Sequence, residues 1–351
     1  MDQTGQPLSF WKQNWKLVLN ILTVGALLVL IYAIRHQLVQ TLENLRLVNI
    51  WWLLLMVPIQ YLNYFAQTKL YLLLYRTVNE DLDFKSLFKA ALELNFINHV
   101  FPSGGVSGIS YFSLRMRRHG IRAGKTTLVQ LMKLVLVFLS FEIMLIFGLF
   151  VLAAAGRANN LTIFIGSSIS MLMVAGTLAF TYVIGSKQRI NGFFTGLTRA
   201  LNRVIYVVRP QHPETINIER VRIVFDELHE DYILFKSRWQ ELKAPFWYAL
   251  LANVTEVLTI YIVYIAFGHW VNIGAVILAY AIANFAGLVS VLPGGIGIYE
   301  ALMTAVLVSA GVPAALSLPV TVMYRVVNTL IQVPPGYVLY HRALRSRPAD
   351  E

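Results

Sequence analysis

Two basic residues, Lys133 and Arg325, stand alone inside long apolar runs, and each follows a glycine-rich break at nearly the same distance. Pro102 precedes Lys133 by 31 residues and Pro293 precedes Arg325 by 32. A cation in the middle of a membrane helix costs about 2.5–3.5 kcal/mol on insertion scales, so each must face a water-filled cavity or a partner. One reading is a site for an anionic lipid phosphate, with Arg325 offering a fork of donors and Lys133 a point charge. The other is a structural ion pair with Glu142 or Glu256, acids deep in apolar runs.

The breaks themselves offer backbone chemistry. In "FPSGGVSG" they supply Pro102, Gly104 and Gly105; in "VLPGGIGIYE" they supply Pro293, Gly294, Gly295 and Gly297. Freed N–H groups at such turns can cradle a phosphate oxygen, as helix N-termini and glycine nests do. Glu300 follows Gly297 by three residues, where a new helix can begin, and an acid in a first turn accepts free N–H groups there. Glu142 lies nine residues after Lys133, on nearly the opposite face of one helix, so its mate must come from another. Glu256, with Asn253 one turn before it, is either neutral and hydrogen-bonded or a group for proton coupling. Asn328, one turn after Arg325, joins the same set of polar cavity residues.

These residues need a bilayer around them. Of the 351 residues 57% are hydrophobic and only 13% charged, which marks an integral membrane protein. There are no cysteines, which excludes disulfides, thiolate metal sites and cysteine nucleophiles. The seven histidines show no metal-ligand spacing, and neither metal nor cofactor is expected. A net charge of +11 fits basic cytoplasmic loops better than nucleic-acid binding, since no basic soluble module is present to carry the latter.

Six apolar runs are long enough to span, at about 17–34, 50–75, 126–155, 161–184, 244–267 and a last one ending near 339. The first follows Lys12 and Lys16 without a convincing cleavage site, so it reads as a retained helix. The second carries Gln60, Asn63, Gln67 and Lys69, which implies packing against protein or water. Two shorter runs, about 86–101 and 273–292, end at the glycine breaks and read as re-entrant segments. A charged stretch, about 187–243, is a water-exposed loop. With the N-terminus inside, only Arg35, Arg46 and Arg157 fall outside and Lys69, Lys133 and Arg325 within the membrane; all other basic residues are cytoplasmic. Arg115, Arg117 and Arg118, beside the first break, are placed to recruit anionic headgroups from the inner leaflet.

The fold expected is therefore all-α and polytopic: about six transmembrane helices plus two re-entrant segments in one flippase-like domain. Repeat one covers about 50–155 and repeat two about 244–340, with opposite orientation. Inverted repeats whose broken helices meet near the midplane are the layout of alternating-access transporters.

The stretches "PSGGVSG", "PGGIGIYEA" and "MYRVVNTLIQVPPG" resemble the membrane region of bacterial lysylphosphatidylglycerol synthetases, shared with many stand-alone flippase-like proteins. The resemblance covers about 17–344 and is strongest from Pro293 to Glu300 with Arg325. It implies movement of an aminoacylated phospholipid between leaflets. No synthetase domain accompanies the membrane region here, so the cargo does not carry over. The expected function is translocation of an anionic or zwitterionic phospholipid in the cell membrane, both termini cytoplasmic, without catalysis. Membrane phospholipids are the expected partners, with a separate synthetase and a homo-oligomer as further ones. The alternatives are a membrane enzyme acting on lipid-linked sugars, for which only Glu142 and Glu256 offer acids, and a scaffold for a synthetase.

Overall fold

A computed structural model of the chain describes residues 35–101, 106–186, 188–192, 232–289 and 297–345, with isolated positions at 25, 28, 29, 31, 32, 195 and 196. The expected first span and most of the loop 187–243 fall outside the described residues. So do Pro102, Gly104, Gly105, Pro293, Gly294 and Gly295.

Local chemistry sets the helix boundaries. A short lead-in helix, Ile50–Leu54, starts at Asn49, whose side chain accepts the Trp51 N–H. Helix α1, Met56–Thr77, follows at once, with Pro58 in its first turn, where a missing N–H leaves no bond unmade. Helix α2, Phe84–Val100, is capped by Asp83, which accepts the Ser86 N–H at 3.1 Å. Helices α3, Val106–Arg117, and α4, Ala123–Ala154, follow the first break. A capping box of Asn159 and Thr162 starts α5, Asn160–Ile184.

The second half repeats the plan. Helix α6 is Lys243–Ala266, α7 Ile273–Val289, α8 Ile298–Ser309 and α9 Ala314–Arg345. Helices α1 to α4 have 22, 17, 12 and 32 residues, and α6 to α9 have 24, 17, 12 and 32. No strand occurs among the described residues.

Contacts follow the same duplication. The two leading helices, α1 and α6, form the most extensive pair, while α2 packs on α9 and α7 packs on α4. Each re-entrant helix thus leans on the last helix of the other unit. Glycine makes both crossings close. On α4, Gly148 lies against α7, and a Cβ there would meet the Ile277 side chain at 3.0 Å; on α9, a Cβ at Gly336 would meet the Leu92 carbonyl oxygen of α2 at 2.6 Å.

Four described helices are long and apolar enough to cross a membrane: α4, α5, α6 with the turn before it, and α9. The chain is a multi-pass membrane protein. Helix α1 has the length, about 33 Å at ~1.5 Å per residue, but Gln60, Asn63 and Gln67 on it are turned toward protein. The 17-residue α2 and α7 reach only about 26 Å and the 12-residue α3 and α8 about 18 Å, too short to cross alone. If each broken pair returns to its own side, α1, α4 and α5 make three crossings before α6, an odd number, and the second unit is inverted relative to the first.

Candidate functional site

Between the units lies a cavity of about 300 Å³. Helices α1, α2 and α6 contribute Gln67, Asn95, His99 and Glu256 to its wall, and α7 and α8 contribute Tyr280, Asn284 and Tyr299. The largest share comes from α9: Tyr324, Arg325, Asn328, Thr329 and Gln332. Positions 325, 328, 329 and 332 follow the i, i+3, i+4, i+7 rhythm that gathers residues on one helical face.

Arg325 is held by Glu300. One guanidinium nitrogen pairs with Glu300 Oε1, with the two side chains 17% and 6% exposed. The guanidinium also lies over the Tyr299 ring, 4.7 Å from its centre. Glu300 has a second task. Its other oxygen accepts the Gly297 N–H at 2.6 Å, closing the first turn of α8, and Gln37 donates to Oε1 at 2.8 Å. Gly297 has φ 87°, a left-handed conformation that a side chain would strain, so the turn into α8 requires glycine. The carboxylate is thus both a helix cap and the counter-ion of the cavity's arginine, combining the cap foreseen from spacing with an ion pair that was expected from Glu142 or Glu256 instead.

Lys133 is placed differently. Its ammonium donates to Gln67 Oε1 at 3.1 Å and lies 4.5 Å from the centre of the Tyr71 ring, so it meets the cavity through Gln67 and is not on the lining. Gln67 in turn donates to Asn63, which donates to Thr255 and to the Ala252 carbonyl of α6. This chain of amides fastens α1 to α6.

A second network joins α9 to α1 and α2. Gln332 donates to Gln60 at 2.9 Å and to Asn328 at 3.1 Å, and accepts from Asn95, which also donates to the Tyr64 hydroxyl. His99 Nδ1 lies 2.9 Å from the Asn95 carbonyl, and the Tyr324 hydroxyl donates to Glu256 at 3.3 Å. Every buried amide named here has a partner, which keeps the polar wall rigid in an apolar surrounding.

The remaining acids and bases sit elsewhere. Glu142 takes a hydrogen bond from Ser170 of α5, the mate on another helix that its spacing demanded, and its second oxygen has no partner among the described residues. Asn253 donates to Ser140 and the Val137 carbonyl, joining α6 to α4. Arg115 is tied to buried Glu93 at 3.1 Å, where Tyr111 also donates, while Arg117 and Arg118 are exposed at the end of α3. His119 beside them lies 3.1 Å from the Ser86 hydroxyl. Partial burial, then the charges of Arg115 and Arg118, hold its imidazole below the usual histidine range. No three acids or histidines gather as a metal site among the described residues.

The model of the lysylphosphatidylglycerol synthase transmembrane region matches residues 17–336. The chain belongs to that family. Similar proteins include three archaeal membrane proteins of the UPF0104 group. One from Methanothermobacter thermautotrophicus is 35% identical over 92 residues, 26% of this chain and 28% of its own. One from Pyrococcus horikoshii is 23% identical over 190 residues, 54% and 56% of the two chains. One from Methanocaldococcus jannaschii is 22% identical over 265 residues, 73% and 74%. The chain therefore spans about half or less of the length of the first two relatives. No solved structure matches.

Proposed function

We propose that this protein moves a phosphate-bearing lipid headgroup between the leaflets of the cell membrane. The observation that carries the proposal is Arg325: a guanidinium on the wall of a polar cavity, between two units of matched helices, in a membrane protein. A guanidinium is a fork matched to two phosphate oxygens, and its present counter-ion, Glu300, occupies the place that a phosphate would take. The headgroup enters between the units, exchanges with Glu300 at Arg325, and its hydroxyl, amine or glycerol groups meet the amides of Asn95, Asn328 and Gln332. Both glycine breaks precede this position in sequence. Lys133 acts through Gln67 by fixing the cavity wall. The exposed guanidinium groups of Arg117 and Arg118 attract anionic headgroups to the cytoplasmic face, with both termini on that side.

Purified protein in vesicles of defined phospholipids tests this reading. Exchange of a labelled phospholipid between leaflets without chemical change supports it. A new lipid product would support a membrane enzyme instead, and neither exchange nor product would leave a scaffolding role for a separate lipid-modifying synthetase.

A further inference from the structure

The wall formed by α7 has two sides. Tyr280 and Asn284 line the polar cavity, and the same two residues line a second space of about 220 Å³. That space is walled by Leu134, Val137, Phe138 and Phe141 of α4, Met173 of α5 and Ala281 of α7. Asn253 of α6 also borders it, but its NH₂ group is committed to Ser140 and the Val137 carbonyl. Water needs two to four polar partners in such a space, and the walls are almost wholly apolar.

The slot exists because α5 is a peripheral helix. It packs along α4 and touches α7 only lightly. Leu134, 43% exposed, marks where the slot reaches the membrane side of α4. At about 30 Å³ for a water-sized group, the space holds roughly seven methylene-sized groups, a fraction of one acyl chain.

We propose that this slot binds one acyl chain of the lipid whose phosphate occupies the polar cavity. The proposal rests on the headgroup reading of that cavity and adds the chain to it: the lipid is held at both ends, with Tyr280 and Asn284 at the junction of its polar and apolar parts. A phospholipid is the occupant that fits, because a single molecule must present a phosphate on one side of Tyr280 and a hydrocarbon on the other. Each methylene entering the slot from the bilayer gains little by transfer, so the slot supplies orientation. Specificity for chain length and branching follows from the side chains that wall it, Met173 and Phe141 among them.

The test uses the full-length protein in phosphatidylglycerol vesicles containing a trace of phosphatidylglycerol with a photoreactive group on its acyl chain. After illumination, the attachment sites are mapped by mass spectrometry in the wild type, in Met173→Trp, which fills the slot, and in Thr329→Trp, which fills the polar cavity from α9. Labelling at Leu134, Phe138, Phe141 and Met173 is expected in the wild type. Labelling of α4 in the slot should fall by about tenfold or more in both variants, the change that accompanies loss of ~1.4 kcal/mol of binding, while labelling of exposed Phe164 and Leu178 on α5 stays unchanged. An unlabelled slot in the wild type overturns the proposal. So does slot labelling that persists in Thr329→Trp, since the chain would then belong to surrounding bilayer lipid. Leaflet exchange in the same vesicles separates the two readings: slot labelling that depends on Thr329 without exchange would refute transport and keep the slot, and exchange with an unlabelled slot would do the reverse.

Discussion

The Arg325–Glu300 pair should be strongly coupled energetically, and a double-mutant cycle can measure that coupling apart from transport. Both side chains are largely buried, 17% and 6% exposed. Removing one partner of a buried pair costs about 3–5 kcal/mol, because the other charge is left unpaired. Glu300 would keep its bonds from the Gly297 N–H at 2.6 Å and from Gln37 at 2.8 Å, so Arg325→Met should fall at the lower end, about 3 kcal/mol. Glu300→Gln keeps an acceptor for Gly297 but removes the charge that faces the guanidinium, with a loss of similar size. The double variant removes both charges, and its loss should be smaller than the sum of the two by about 1–3 kcal/mol. The Lys125–Glu80 pair, whose side chains are 20% and 30% exposed, serves as the control and should couple by less than about 1 kcal/mol. Unfolding in mixed micelles, followed by helix content, reads all of these. Additivity within about 0.3–0.5 kcal/mol at Arg325 and Glu300 would refute the idea that the pair is one unit, and with it the view that a phosphate must displace Glu300.

Three further outcomes follow from the packing and the loop chemistry. Gly336→Val should destabilise by about 1–3 kcal/mol, since its Cβ would press on the Leu92 carbonyl, whereas Gly176→Ala, with open space around it, should change stability little in the same unfolding assay. Asn253→Ala should lose about 1–3 kcal/mol, because the Ser140 hydroxyl and Val137 carbonyl on α4 lose a shared donor; hydrogen exchange of α6 should rise with it. His119 should titrate below the ordinary 6.5, monitored by its ring proton shifts. A lowered folded-state value means that protonation disfavours the fold, so the contribution of neutral His119 is complete above 6.5 and is lost as pH falls through the lowered value. A midpoint above 6.5 would contradict the lowering by burial and by the charges of Arg115 and Arg118.

Much of the architecture was legible because bilayers are strict about length and charge. The spans at 126–155, 161–184 and 244–267 agree with α4, α5 and α6 to within three residues, and the two short runs before the breaks became α2 and α7. Matched distances from each proline to a deep basic residue pointed to a duplication that the helix lengths now display. Side-chain partners were less legible. The distance from Gly297 to Glu300 marks a cap, but the pairing of Glu300 with Arg325 brings together two helices whose approach no local pattern encodes. The cavity's tyrosines, Tyr280, Tyr299 and Tyr324, give no sign in the sequence, because an aromatic in an apolar run carries no signal by itself. The stripe Arg325, Asn328, Thr329 and Gln332 did carry one: polar residues at helical spacing along a span identify the face that avoids lipid. Lys133 and Arg325 looked equivalent by sequence position, yet Gln67 stands between Lys133 and the cavity, and only a third helix could decide that.

Leaflet exchange of a labelled phospholipid in vesicles, compared between the wild type and Thr329→Trp, tests the central claim most directly. The account predicts exchange by the wild type and none by the variant at equal incorporation, because the indole fills the space that the headgroup crosses. Equal exchange by the two proteins, or none by the wild type, would contradict a path for lipid headgroups through this cavity.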